Sequence, residues 1–99
     1  MKIYVDDLRT APPGYVIARS TVAALELIHA ARESGEVIEI LDLDHDAGDY
    51  ACMGGDYIRI LDRLEHIGCD FPIRLHTMNA VGRQNMMAII ERNKWKLVP

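Results

Sequence analysis

The stretch Val37-Ile38-Glu39-Ile40-Leu41-Asp42-Leu43-Asp44-His45-Asp46 decides the fold. Val37 to Leu43 is the most hydrophobic strand candidate in the chain, broken only by Glu39 and Asp42. A nearly continuous apolar strand implies burial on both faces, as in a parallel sheet. It runs straight into three polar residues and then a Gly-containing loop, residues 44–56. An apolar strand with a polar, chemically capable end is the pattern of an α/β protein that binds its ligand beyond the strand termini.

Working outward, Lys2 to Val5 is a short strand stopped by Asp6 and Asp7. Pro12-Pro13-Gly14 makes residues 8–14 a loop, and Tyr15 to Ala18 a second short strand. Ser20 or Thr21 caps a helix with Val22, Leu25, Ile28 and Ala31 on one face, ending at Gly35. Tyr57, Ile60, Leu61, Leu64 and Ile67 form a second helical stripe stopped by Gly68. Pro72 to Leu75 reads as a strand, residues 79–93 as a third helix with Met86, Met87, Ile89 and Ile90 toward the core, and Trp95 to Val98 as an edge strand. The order β-β-α-β-α-β-α-(β) points to a parallel three-layer α/β sheet with right-handed crossovers, in a single domain spanning residues 1–99.

Composition narrows the function. The chain has 99 residues, 49% of them hydrophobic, with 11 Lys+Arg against 15 Asp+Glu and a net charge of −4. That argues against duplex DNA held by charge, and no apolar run is long enough for a membrane span or signal peptide. Cys52 and Cys69 are expected as free thiols in a reducing cytoplasm. A domain of this size buries roughly 60–65% of its unfolded surface, so dimerisation would be unsurprising. Of nine aspartates, six fall in the two segments Asp6–Asp7 and Asp42–Asp49. Without those six, the remaining acids are outnumbered by the bases, so the acidity is local.

Three polar clusters each follow a strand: Asp6-Asp7-Leu8-Arg9, Asp44-His45-Asp46 and His76-Thr77-Met78-Asn79. Parallel strands would bring all three to one edge of the sheet. Carboxylates gathered there are unfavourable without a cation, and hard oxygen donors suit Mg²⁺ or Mn²⁺. Asp commonly caps loops and helices, but three strand ends together favour a divalent cation site of Asp6, Asp7 and Asp44. His45 and His76 are the candidate acid and base, with Asp44 and Asp46 beside them; His29 and His66 read as surface residues. Asn79 caps the last helix, whose free N–H groups suit an anion, and Asn85 and Gly82 accompany it. Arg9 is the only base near the first cluster and can pair with a phosphate or with Asp7.

These residues resemble the receiver domain of two-component signalling. There, paired acids such as Asp6-Asp7 hold Mg²⁺, an Asp at the position of Asp44 accepts a phosphoryl group, and a Ser/Thr follows at the position of Thr77. The chain departs from it in having Pro-Pro-Gly in place of the first helix, no Met-Pro after Asp44, and no clear Lys on the last strand. It is more similar to the cyclic-phosphate processing receiver domain, through Asp6-Asp7-Leu8-Arg9, Pro13-Gly14-Tyr15, Leu43-Asp44-His45-Asp46, Gly55-Asp56-Tyr57, His76-Thr77-Met78-Asn79, Gly82 and Asn85-Met86. Ala47 stands where Leu is expected. The resemblance implies a three-layer α/β/α, flavodoxin-like parallel sheet of four to five strands, order 2-1-3-4-5, lacking the first helix. It further implies a metal-assisted hydrolase of cyclic phosphates, acting on a phosphorylated small molecule, nucleotide or RNA end. Arg9, Thr77, Asn79 and Asn85 would bind the phosphate. The alternative is a divergent receiver that is phosphorylated on Asp44 or binds a phosphorylated ligand. A dehalogenase-type phosphatase built on Asp42-Leu43-Asp44 is disfavoured, since that motif should open the fold on its first strand.

Overall fold

A computed structural model describes all residues 1–99. Its elements, in order, are β1 (Lys2–Val5), β2 (Tyr15–Ala18), α1 (Thr21–Ser34), β3 (Ile40–Leu43), a single 3-10 turn (Gly48–Tyr50), α2 (Ile58–Ile67), β4 (Ile73–Leu75), α3 (Ala80–Arg92) and β5 (Leu97–Val98). The strands form one all-parallel sheet in the order β2-β1-β3-β4-β5. This is the receiver-like, flavodoxin-type topology.

Strand register decides what faces what. Ile3 and Val5 pair with Leu41 and Leu43, which pair with Ile73 and Leu75. All six side chains are at most 5% exposed and join one core with Ala24, Ile28, Ile60, Leu61, Leu64, Met86 and Ile90 from the three helices. Because the side-chain period of a strand is two, the alternate residues Lys2, Tyr4, Tyr15, Ile17, Ile40, Asp42, Arg74 and Val98 share the opposite face. No helix of this chain covers that face. The domain therefore has two layers, not the three expected. The reason is topological: every crossover, β2 to β3, β3 to β4 and β4 to β5, advances in the same direction, and right-handed connections then put all three helices on one side. The loop carrying Pro12-Pro13-Gly14 replaces the helix that would lie on the other.

Local signals place the helices. Ser20, not Thr21, caps α1, its Oγ accepting from the Ala23 amide at 3.0 Å, and Gly35 ends the helix in the left-handed region. The buried stripe is Thr21, Ala24, Ile28 and Ala31, whereas Val22 is 41% exposed. Thr21 turns inward because its hydroxyl donates to the Gly55 carbonyl at 3.1 Å, which rotates the helix relative to the apolar reading. β3 begins at Ile40, and the Glu39 amide before it donates to the Met1 carbonyl at 2.8 Å, continuing the pairing with β1 by one residue. Cys52 and Cys69 are unpaired. No helix is long and apolar enough to cross a membrane.

Candidate functional site

Beyond Val5, Leu43 and Leu75 the ladder continues for one residue. The Asp44 amide donates to the Val5 carbonyl at 3.0 Å and the His76 amide to the Leu43 carbonyl at 2.9 Å. Asp6, Asp44 and His76 therefore emerge side by side at the C-terminal edge, at the point where the connections switch direction. One ligand atom from each lies within 4.8 Å of the others. The largest cavity, about 560 Å³, lies at the opposite pole beside Arg32, Val37 and Phe71, away from this chemistry.

His76 has little freedom. Its Nδ1 meets Asp42 Oδ1 at 2.6 Å and its Nε2 meets Asp6 Oδ2 at 2.9 Å. The Tyr4 ring stacks on it with centroids 4.4 Å apart. Asp6 and Asp42 are each 1% exposed, and Asp42 also accepts from Arg74 at 2.9 Å. Burial works against the imidazolium, but the hydrogen bonds to Asp42 and Asp6 outweigh it and raise the His76 pKa. Burial likewise opposes charge on Asp6, yet the Arg9 and Leu8 amides at 2.8 and 2.9 Å, together with His76, lower its pKa. The result is an Asp6–His76–Asp42–Arg74 chain in which acidic and basic side chains alternate, buried except at Arg74. Expected as a free acid, base or metal ligand, His76 instead has both ring nitrogens engaged by carboxylates. Asp42, read in the sequence as an interruption of the strand, is its second anchor.

His45 is arranged differently. Its Nδ1 lies 2.7 Å from Asp46 Oδ1, and no hydrogen bond of the structure involves Nε2. The hydrogen bond from His45 leads the causes that lower the Asp46 pKa. Asn79 Nδ2 lies 3.2 Å from the same Asp46 oxygen, while Asn79 Oδ1 caps α3 by accepting from the Gly82 amide at 2.9 Å. The ring rests directly on Gly82: an ideal Cβ there would stand 2.5 Å from His45 Cγ and 2.6 Å from Cδ2. Gly82, which weakens a helix start on propensity alone, is thus the floor of the His45 seat.

The other candidates are spread around these two histidines. Asp7 packs against Gly48, whose φ of +55° and lack of a side chain admit the carboxylate. Asp7 stands outside the closest donor set. Arg9 is half exposed, donates to the His76 carbonyl at 3.2 Å, and holds its Nε 4.0 Å from Asp6 Oδ2. Thr77 is buried, its Oγ1 accepting from the Asn79 amide at 3.1 Å. Asn85 is exposed and makes no hydrogen bond with the rest. Three residues outside the expected set contribute. Arg19 donates to the Asp6 and Arg9 carbonyls at 3.2 and 2.7 Å. Tyr57 donates to the Arg19 carbonyl at 2.7 Å, and its pKa is raised by burial and then by Asp7, Asp6 and Asp44. Asp56 accepts from the Ala47 amide at 2.9 Å and lies close to His45 and Asp46. Asp56 and Tyr57 both left a sequence signal, as part of Gly55-Asp56-Tyr57; Arg19 acts on backbone carbonyls, which no side-chain motif reports.

The donor chemistry fits a divalent cation: carboxylate oxygens of Asp6 and Asp44 with Asp7 nearby suit Mg²⁺ or Mn²⁺. No lysine joins them, since Lys94 and Lys96 precede β5 and flank a cleft with Phe71 and Pro72 at the other end of the strands. Comparison with curated proteins and with solved structures returned no match. Residues 1–92, which carry every element of this edge, match the model of the cyclic-phosphate processing receiver domain, and the chain belongs to that family.

Proposed function

We propose that the chain is a metal-dependent phosphoesterase that opens cyclic phosphates of nucleotide type. The observation that carries this reading is His45, with Nδ1 fixed by Asp46 at 2.7 Å and Nε2 free, next in the chain to Asp44. An imidazole oriented through one nitrogen and open at the other is the arrangement a general acid–base group needs. Asp6, Asp44 and Asp7 would hold Mg²⁺ or Mn²⁺, which when bound supplies charge neutralisation at the phosphate. His45 Nε2 takes a proton from water as its oxygen bonds to phosphorus. It returns that proton to the ester oxygen released as the ring P–O bond breaks. Asp46 and Asn79 keep the ring aimed, with the Asp46 carboxylate stabilising the transient imidazolium. His76 positions Asp6 and balances the buried carboxylates. Arg9 and the α3 N-terminus behind Thr77 and Asn79 provide the anion contacts.

The test is hydrolysis of 2′,3′-cyclic nucleotides with Mn²⁺ and with EDTA. Turnover that EDTA abolishes supports the reading, and absence of turnover on any cyclic phosphate with metal bound defeats it. The second reading is a phosphoacceptor receiver, and it rests on Asp44, whose position after β3 corresponds to the acceptor. Incubation with acetyl phosphate and Mg²⁺ followed by intact-mass measurement separates the two, since only the receiver gains a phosphoryl group. The lack of a lysine at this edge favours the hydrolase.

A further inference from the structure

The corner between β2 and α1, Ala18 to Val22, is bonded to both loops that carry the chemistry. Toward the first loop, the Ala18 carbonyl accepts from the Asp6 amide at 3.2 Å, and Arg19 Nη1 donates to the Asp6 and Arg9 carbonyls at 3.2 and 2.7 Å. Toward the second, the Arg19 carbonyl accepts from the Tyr57 hydroxyl at 2.7 Å, Thr21 Oγ1 donates to the Gly55 carbonyl at 3.1 Å, and the Val22 amide to the Met53 carbonyl at 3.2 Å. Tyr57 is fully buried, and its own amide donates to the His45 carbonyl at 2.9 Å. Arg19 and Tyr57 thus form one hydrogen-bonded line from the Asp6–Arg9 turn to His45.

This line leaves the turn little freedom. Asp6 Oδ1 already holds the Leu8 and Arg9 amides, and Arg19 holds the turn's carbonyls from the other side. Asp7 then projects across to the second loop, where its carboxylate lies so close to Gly48 that a Cβ there would collide with it. Burial, and after it the charges of Asp7, Asp6 and Asp44, raise the Tyr57 pKa, so all three carboxylates are within electrostatic reach of its hydroxyl.

We propose that Arg19 and Tyr57 are positioning residues that fix the Asp6–Arg9 turn against the His45 loop, and so set Asp7 on the cation and Arg9 on the phosphate. Their role presupposes the proposed cation site of Asp6, Asp44 and Asp7, and not the hydrolytic step. A guanidinium suits the place, since its rigid fork serves two carbonyls at once where an ammonium on a flexible stem holds them less firmly.

The experiment titrates the purified full chain with Mn²⁺ by electron paramagnetic resonance. Tyr57→Phe keeps the buried ring and loses only the hydroxyl, and should weaken Mn²⁺ binding roughly threefold. Arg19→Ala should weaken it about tenfold, with Arg19→Lys in between. Because the Tyr57 hydroxyl acts through Arg19, the double variant Tyr57→Phe, Arg19→Ala should bind no more weakly than Arg19→Ala alone. Ile89→Val, a core truncation on α3 costing ~1 kcal/mol, should leave the affinity unchanged, and urea unfolding measures the stability of every variant. Affinity equal to wild type in Tyr57→Phe, losses that add in the double variant, affinities that track stability through Ile89→Val, or no Mn²⁺ binding by the wild type overturn the proposal. A wild type that binds Mn²⁺ yet leaves cyclic nucleotides intact defeats the hydrolase alone, and the Mn²⁺ affinities still decide the role of Arg19 and Tyr57.

Discussion

Substituting Gly82 by Ala is the sharpest probe of the His45 arrangement. The added methyl would stand 2.5 Å from His45 Cγ, 2.6 Å from Cδ2 and 2.8 Å from Nδ1, where ordinary contact begins near 3.4 Å. The neighbouring atoms belong to one rigid ring, so the ring must retreat by about 0.9 Å as a unit. A displacement of that size strains or breaks the 2.7 Å bond to Asp46 and re-aims Nε2; misplacing a catalytic group by ~1 Å costs roughly 10²-fold in rate. Stability should behave otherwise. Ala gains about 1 kcal/mol over Gly within a helix, set against roughly 1–3 kcal/mol for overpacking, so the net loss is at most about 2 kcal/mol. The assay pairs initial rates on a 2′,3′-cyclic nucleotide with urea unfolding and NMR shifts of the His45 ring. The reasoning is refuted if the ring shifts are unchanged, or if they move while hydrolysis stays at the wild-type rate.

Removing His76 should be far costlier to the fold. In His76→Ala the buried carboxylates of Asp6 and Asp42 lose the imidazole they share, a loss of about 3–5 kcal/mol by chemical denaturation, and adding Asp42→Asn should recover part of it. The pH dependence follows from the same pair. The raised pKa of His76 means its contribution is complete below 6.5 and fades as pH climbs through the folded value; His76→Asn should flatten that alkaline limb in urea titrations. Asp6, with its lowered pKa, contributes fully above 3.8, and that part is lost as pH falls through its folded value. For the metal, Asp44→Asn should weaken Mn²⁺ binding at least tenfold by electron paramagnetic resonance, while Asn85→Ala leaves it unchanged.

Much of this molecule is legible in its residues because the signals are local. Pro12-Pro13-Gly14 forbids a helix wherever it occurs, Ser20 and Asn79 cap helices through their own side chains, and an apolar run ending in Asp44-His45-Asp46 marks a buried strand and its exit. Strand alternation with helices is enough to infer the parallel sheet, and the strand ends then gather Asp6, Asp44 and His76. The first turns of α1 bury Thr21 and Ala24 where the apolar pattern points to Val22 and Leu25, because Thr21 counts as polar in any hydropathy pattern, whereas its hydroxyl is satisfied by a carbonyl 34 residues away.

The division of roles between the two histidines lay beyond the sequence. Both follow strands and both have aspartates near them, so residue type and position treat them alike. What separates them is strand register. Pairing β3 with β4 aligns Asp42 with Arg74, and His76, next on that face, reaches Asp42 and, across β3, Asp6 at the end of β1, which engages both ring nitrogens. His45 leaves the sheet instead and settles on Gly82 with one nitrogen free. The bare sheet face has the same origin, since crossover direction belongs to the whole chain and not to any segment of it. Composition and spacing determined which residues meet at the strand ends; tertiary structure decided which of them is held between carboxylates and which is left open to react.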